Sequence, residues 1–114
     1  MLQIESSGSV KALFVDKDKL IEKVKSISED LKAKFNYVKK IVLFGSLAKG
    51  KQRSTRDVDL IVIVSELDKD NFWDIYGELY NFIAEKIDMG IDLLIMTEKH
   101  FENKRKNFGE VLIL

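Results

Sequence analysis

The spacing of apolar residues along the chain predicts three helices. Between positions 20 and 35 they recur at intervals of three and four, as in an amphipathic helix: Leu20, Val24, Ile27, Leu31 and Phe35. Asp16 or Asp18 is a candidate for the N-cap of this helix. A second helix with a wide apolar face is predicted over residues 72–87. A charged third helix follows Thr97, which is its candidate cap.

Short apolar runs predict strands over residues 10–15, 41–44, 58–64 and 91–96. The last three runs have apolar residues on both faces, so both faces of their sheet should be covered. Ile61 and Ile63 share a face with Asp59, and two or three helices are expected to leave that face partly uncovered. Residues 1–8 are expected to be loose or an edge strand, 47–49 a helical turn and 50–56 a basic loop. The pattern does not place the apolar tail, residues 111–114.

The order of these elements predicts the fold class. Helix, strand, turn, strand, helix, strand and helix indicate an α/β (α+β) fold, in which a small mixed β-sheet is flanked by helices. A length of 114 residues is that of one domain, so residues 1–114 are expected to form a single unit.

Composition excludes several classes of site. The chain has no cysteine and one histidine, which rules out disulfides, thiolate metal sites and histidine clusters. Its 19 basic and 19 acidic residues balance, so non-specific binding to nucleic acid is not expected. No apolar run reaches the roughly 20 residues of a membrane span, and no signal-peptide pattern is present. The expected location is cytoplasmic, and the sequence leaves both a monomer and a homo-oligomer open.

The strongest chemical signal is Asp57-Val58-Asp59 at the head of an apolar strand. Residues two apart on a strand share a face, so the two carboxylates should lie about 7 Å apart, a suitable spacing for ligands of a hard divalent cation. Capping or turn formation is the structural alternative for each aspartate. Asp92, between Ile91 and Leu93, is the favoured third carboxylate because a buried charge there needs a partner. Asp88, in a predicted loop, is its competitor.

A Gly-Ser pair precedes the aspartates and is a candidate phosphate-binding turn. Gly45 allows close backbone approach, and the hydroxyl and N–H of Ser46 suit a terminal phosphate, although most such pairs are only turns. Lys49 is the nearest of four cations that follow and is the favoured phosphate contact. The other three are Lys51, Arg53 and Arg56. Carboxylates beside a phosphate site predict phosphoryl or nucleotidyl transfer.

Three aromatic residues of the second helix, Trp73, Tyr76 and Tyr80, are spaced to share one side. Core packing is the favoured interpretation, and an interface with a partner protein is the alternative. His100 is assigned no role.

Together these motifs resemble a known family. VLFGSLAKG at residues 42–50, DVDLIV at 57–62 and IDL at 91–93 are similar to minimal nucleotidyltransferases (MNT) of the DNA polymerase beta-like superfamily, over roughly residues 10–100. The resemblance implies the polymerase beta-like nucleotidyltransferase fold, with Gly45 and Ser46 holding the phosphates of ATP. It implies that Asp57, Asp59 and Asp92 bind two Mg²⁺ ions, with Asp92 also acting as the base. Arg56 departs from the family, in which many members have serine before the first aspartate.

The resemblance also implies a partner. MNT proteins are commonly paired with a HEPN ribonuclease toxin, and the MNT protein acts as an antitoxin by transferring AMP from ATP to a tyrosine of the toxin. A binding module that neutralises a partner with little or no catalysis is the alternative. Transfer to RNA or to an antibiotic is disfavoured because no acceptor-binding extension is visible in the sequence.

Overall fold

The computed structural model describes residues 2–7, 10–15, 17–45 and 57–114, and the surroundings of side chains over 18–45 and 58–114. The strands are β1 (Leu2–Ser7), β2 (Val10–Val15), β3 (Val38–Phe44), β4 (Asp57–Val64), β5 (Gly90–Thr97) and β6 (Leu112–Ile113). The helices are α1 (Lys17–Lys34), α2 (Phe72–Ala84) and α3 (Glu98–Lys104), and α3 continues into a 3₁₀ turn (Arg105–Phe108). The helical turn and basic loop predicted over residues 47–56 lie outside the described residues.

The four strands β5-β4-β3-β6 form a mixed sheet in that order. β4 and β5 are parallel, because α2 supplies the crossover that a parallel pair requires, and β3 is antiparallel to both of its neighbours. Strands β1 and β2 pair with each other as an antiparallel hairpin. The predicted mixed sheet is therefore confirmed, and residues 2–7 are a strand.

One face of the sheet, here called the helix face, carries the larger hydrophobic core. Side chains of the amphipathic helices α1 and α2 pack over it, including Leu20 and Leu79, which are fully buried. The strand residues of this core alternate along each strand with residues that point to the other face. They are Val38, Ile41, Leu43, Val58, Leu60, Val62, Val64, Leu93 and Ile95. The predicted positions of α1 are confirmed as core residues.

The opposite face, here called the aspartate face, has a smaller core. Val42, Ile61, Ile63 and Met96 pack there against Phe101 of α3. The expectation that Ile61 and Ile63 would be partly uncovered is wrong, since both are 0% exposed. The reason is that α3 and the 3₁₀ turn fold back over this half of the face. Thr97 begins α3 as predicted, because its hydroxyl accepts a hydrogen bond of 3.4 Å from the N–H of His100.

The structure corrects the predicted end of α2 and places the apolar tail. α2 ends at Ala84, three residues before the predicted limit. The apolar tail forms β6, which pairs with β3 at the edge of the sheet, and the N–H of Leu114 donates to the carbonyl of Ile41 at 2.9 Å. None of the described helices has the length and apolar character needed to cross a lipid bilayer.

Candidate functional site

The start of β4 brings the predicted carboxylates to one end of the sheet. In the parallel pairing of β4 with β5, Asp59 is in register with Asp92, and Asp57 is in register with Gly90. Residues in register on adjacent strands lie about 4.8 Å apart and point to the same face. Asp59 and Asp92 therefore extend from neighbouring backbones on the aspartate face. The backbone of Asp57 is described and its side chain is not.

The end of β3 completes this arrangement. Phe44, the last residue of β3, is in register with Asp59, and Gly45 follows with a φ of 78°, a conformation that favours glycine. A Cβ atom placed on Gly45 would overlap Oδ2 of Asp59 and lie 2.9 Å from its Cγ. The carboxylate of Asp59 thus occupies the space that a side chain at position 45 would need. The predicted turn glycine and the predicted metal ligand are in direct contact.

Asp92 lies in a different environment from the one expected. The sequence pattern suggested a buried carboxylate, but Asp92 is exposed because β5 is an edge strand and its aspartate face is open at this point. Its charge therefore needs no internal partner, and the burial argument for choosing it is wrong. The register with Asp59 is a separate argument in its favour. Asp88 lines a cleft with Lys23 and Asp30 of α1, on the helix side of the sheet.

The chemistry of these residues fits a hard divalent cation. Carboxylate oxygens are the preferred ligands of Mg²⁺, and Asp59 and Asp92 present two such groups side by side. Among the side chains that the structure describes, no three acidic, histidine or cysteine groups meet at one point. The third predicted ligand is Asp57, which precedes Asp59 by two residues on the same strand face.

The predicted phosphate contacts Ser46 and Lys49 lie outside the described residues, as do Lys51, Arg53 and Arg56. Gly45 is the one member of the predicted phosphate-binding group that is described. His100, to which no role was given, is exposed on α3.

The aromatic strip of α2, formed by Trp73, Tyr76 and Tyr80, is only partly in the core. Tyr76 and Tyr80 are half-buried and stack with their ring centroids 6.0 Å apart, but Trp73 is 73% exposed. The prediction of core packing is therefore wrong for Trp73. At 100° per residue, Trp73 lies about 120° around the helix from the buried Leu79. A helical projection of the sequence therefore separates Trp73 from the buried side of α2.

Comparisons with known proteins agree with this architecture. Residues 22–113 match the family model described as polymerase beta, nucleotidyltransferase. Two relatives come from Methanocaldococcus jannaschii, and each is 34% identical to this chain. "Putative protein adenylyltransferase MJ1379" matches over 85 residues, 73% of this chain and 81% of the relative. "Putative protein adenylyltransferase MJ1215" matches over 83 residues, 72% of this chain and 91% of the relative.

A solved structure supports the same fold. The crystal structure of a "putative nucleotidyltransferase" from Sulfolobus solfataricus superposes with a TM-score of 0.63, covering 85% of this chain and 80% of that one. The two sequences are 18% identical, so the likeness is one of fold.

Proposed function

Because the chain belongs to the polymerase beta nucleotidyltransferase family, we propose that it transfers AMP from ATP to a hydroxyl group of a partner protein. The observation that carries the proposal is the register of Asp59 with Asp92, beside the bare glycine that ends β3. The names of the two relatives, protein adenylyltransferases, support a protein as the acceptor.

The transfer requires the acceptor hydroxyl, the α-phosphate and the pyrophosphate leaving group to be positioned in one site. The acceptor oxygen forms a bond to the α-phosphorus of ATP, the bond from that phosphorus to its bridging oxygen breaks, and pyrophosphate leaves with the electron pair. The proton of the acceptor hydroxyl must pass to a base. We assign this role to Asp92, because an exposed carboxylate at an open sheet edge is accessible to a hydroxyl on another protein.

The site residues would also bind the metal ions and the nucleotide. Asp57, Asp59 and, in addition to its role as the base, Asp92 would bind two Mg²⁺ ions, which would stabilise the negative charge that develops on the phosphoryl group. Gly45, Ser46 and Lys49 would hold the phosphates through backbone N–H groups, a hydroxyl and an ammonium group.

We propose further that the acceptor is a tyrosine of a HEPN-family toxin and that this chain acts as its antitoxin. This part of the proposal comes from the likeness of the Gly-Ser, Asp-x-Asp and Ile-Asp-Leu motifs to MNT proteins. The open edge at Asp92 is compatible with a bulky protein acceptor.

The test is transfer of label from ATP. The protein is incubated with Mg²⁺, ATP labelled at the α-phosphate and the product of the neighbouring reading frame. Label should appear on the acceptor, and mass spectrometry should find one AMP on a tyrosine. ATP labelled at the γ-phosphate should give no labelled acceptor. Failure to label the acceptor from α-labelled ATP in the presence of Mg²⁺ would overturn the enzymatic assignment.

Asp59→Asn is the decisive variant, because it keeps the size of the side chain and removes its charge. Loss of a metal-binding carboxylate should lower the transfer rate by about 10³-fold, the range seen when one group that stabilises transition-state charge is removed. Asp88→Asn is the matched control and should retain the wild-type rate. Equal rates for Asp59→Asn and wild type would contradict the site assignment.

A second candidate function is a binding module that neutralises its partner by forming a complex. The exposed ring of Trp73, in contact with Tyr76 at a centroid distance of 5.7 Å, favours it, because tryptophan and tyrosine are enriched at protein interfaces. A triple Asp→Asn variant at positions 57, 59 and 92 separates the two candidates. Neutralisation of the partner by this variant would favour binding, and loss of neutralisation would favour catalysis.

A further inference from the structure

We infer that Gly45 is a positioning residue for the carboxylate of Asp59, in addition to any contact that it makes with a phosphate. This role rests on the proposed function only in so far as Asp59 is a metal ligand. The contact itself is a property of the protein without any ligand.

The contact joins the ends of two strands. β3 and β4 are antiparallel, so the residue after Phe44 lies next to Asp59 rather than beyond the sheet. Oδ2 is the Asp59 atom nearest to the Cβ position of Gly45, and Cγ and Cβ of Asp59 follow at 2.9 and 3.2 Å. It is therefore the carboxylate group that fills the vacant side-chain site.

Any L-amino acid at position 45 would compete with that carboxylate for space. Real Cβ atoms do not approach other heavy atoms within 3.0 Å, so the side chain of Asp59 would have to rotate. That rotation would displace the carboxylate from its position beside Asp92, its partner in register on β5. On the same face Asp59 also borders Ile61 along the strand, which is fully buried, and Phe44 on β3.

This role differs from the one that a glycine beside a phosphate usually has. A glycine needed only for close approach of a nucleotide affects nucleotide binding and leaves the metal ligands unchanged. A glycine that makes room for Asp59 affects the carboxylate in the absence of nucleotide. The two roles therefore predict different results in the protein without ligand.

The first experiment is a double-mutant cycle on unfolding, in chelator and without nucleotide. Gly45→Ala should raise the unfolding equilibrium constant through backbone strain and through the clash with Asp59. In the Asp59→Ala background the carboxylate is gone, so the effect of Gly45→Ala should be about tenfold smaller. Equal effects of Gly45→Ala in the two backgrounds would overturn the inference.

Two variants separate the clash from backbone strain. Gly45→Asn carries a Cβ atom, but asparagine tolerates a positive φ, so its coupling to Asp59→Ala should persist. Gly109→Ala is the control for backbone strain alone, because Gly109 has a φ of 67° and is not in register with Asp59. Its effect should add to that of Asp59→Ala without coupling. Loss of the coupling in Gly45→Asn would show that strain alone explains the alanine result.

The second experiment measures binding of Mn²⁺, as a spectroscopic substitute for Mg²⁺, to the folded protein without nucleotide. Gly45→Ala should weaken this binding by about tenfold or more, in the same direction as Asp59→Asn, and Gly109→Ala should leave it unchanged. Wild-type affinity in folded Gly45→Ala would contradict the positioning role. If the wild type binds no Mn²⁺ while the unfolding cycle shows coupling, the metal assignment fails and the contact with Asp59 stands.

Discussion

The helix face and the aspartate face of the sheet differ in how completely they are covered. Two long helices, α1 and α2, pack along the helix face, and the strand residues that point to it are buried. The seven-residue helix α3 and its 3₁₀ turn cover only the half of the aspartate face around Ile61 and Ile63. At the other half, Asp59 is half-buried and Asp92 is exposed.

This difference assigns separate tasks to the two faces. A large apolar area removed from water supplies most of the stability, and that area is on the helix face. Within the described residues, aromatic rings cover the aspartate face at one end, and Asp92 is exposed at the other. Substitutions on the two faces should therefore have different effects on stability and on activity.

The largest effect on stability is expected from Phe101→Ala. The ring of Phe101 is 1% exposed, and removing a buried phenyl group typically costs about 3–5 kcal/mol. Phe101 stacks on Phe108, which packs edge-to-face on Phe44 at 5.2 Å, and Phe44 is in register with Asp59. The transfer rate per folded molecule should therefore fall as well, by several-fold, since small displacements of site residues are costly.

The comparison for Phe101 is Leu79→Ala on the helix face. Leu79 is 0% exposed, and its truncation should cost about 2–5 kcal/mol. Chemical denaturation measures both losses, and rates are corrected for the folded fraction. The corrected rate should be unchanged for Leu79→Ala. Equal corrected rates for the two variants would show that the aromatic cluster does not support the site.

A smaller effect, of opposite sign, is expected at Gly77 in α2. A Cβ atom there would meet no atom within 4 Å, and its φ is not in the left-handed region. Gly77→Ala should therefore stabilise the protein by about 0.5–1 kcal/mol, because alanine lowers the entropy cost of forming the helix. Thermal unfolding measures the change. A lower melting temperature would mean that this side of α2 has less room than the structure indicates.

The smallest effect on stability is expected for Trp73→Ala. With 73% of the side chain exposed, little apolar area returns to water on truncation, and the cost should stay within about 0.5 kcal/mol. Affinity for the partner is the sensitive measurement. If the aromatic strip is an interface, this variant should weaken association by tenfold or more, as truncation of a tryptophan anchor does. Unchanged affinity would leave Trp73 without a role in binding.

Much of the fold followed from local patterns. The spacing of Leu20, Val24 and Ile27 predicted α1 and its buried positions, and the continuous apolar runs predicted strands β3, β4 and β5. These predictions held because burial of an amphipathic segment depends on the period of its own residues.

Other features depended on residues far apart in the chain. No local pattern shows that residues 112–113 pair with β3, or that α3 buries Ile61 and Ile63, because both require the chain to return to the sheet. Asp92 was selected for the wrong reason. Its sequence neighbours are apolar, but the exposure of a strand residue depends on whether another element packs over that part of the sheet face, and Phe101 of α3 packs around Ile61 and Ile63 instead.

The sequence by itself determined the chemical identity of the candidate site, namely two aspartates at i and i+2, a third on another strand and a preceding Gly-Ser pair. The tertiary structure decided how the described members meet. The parallel pairing of β4 with β5 sets Asp59 beside Asp92. The antiparallel pairing of β3 with β4 puts Gly45 against the carboxylate of Asp59. The physical reason is that side-chain chemistry belongs to each residue, whereas register and close contact depend on hydrogen bonding between distant segments.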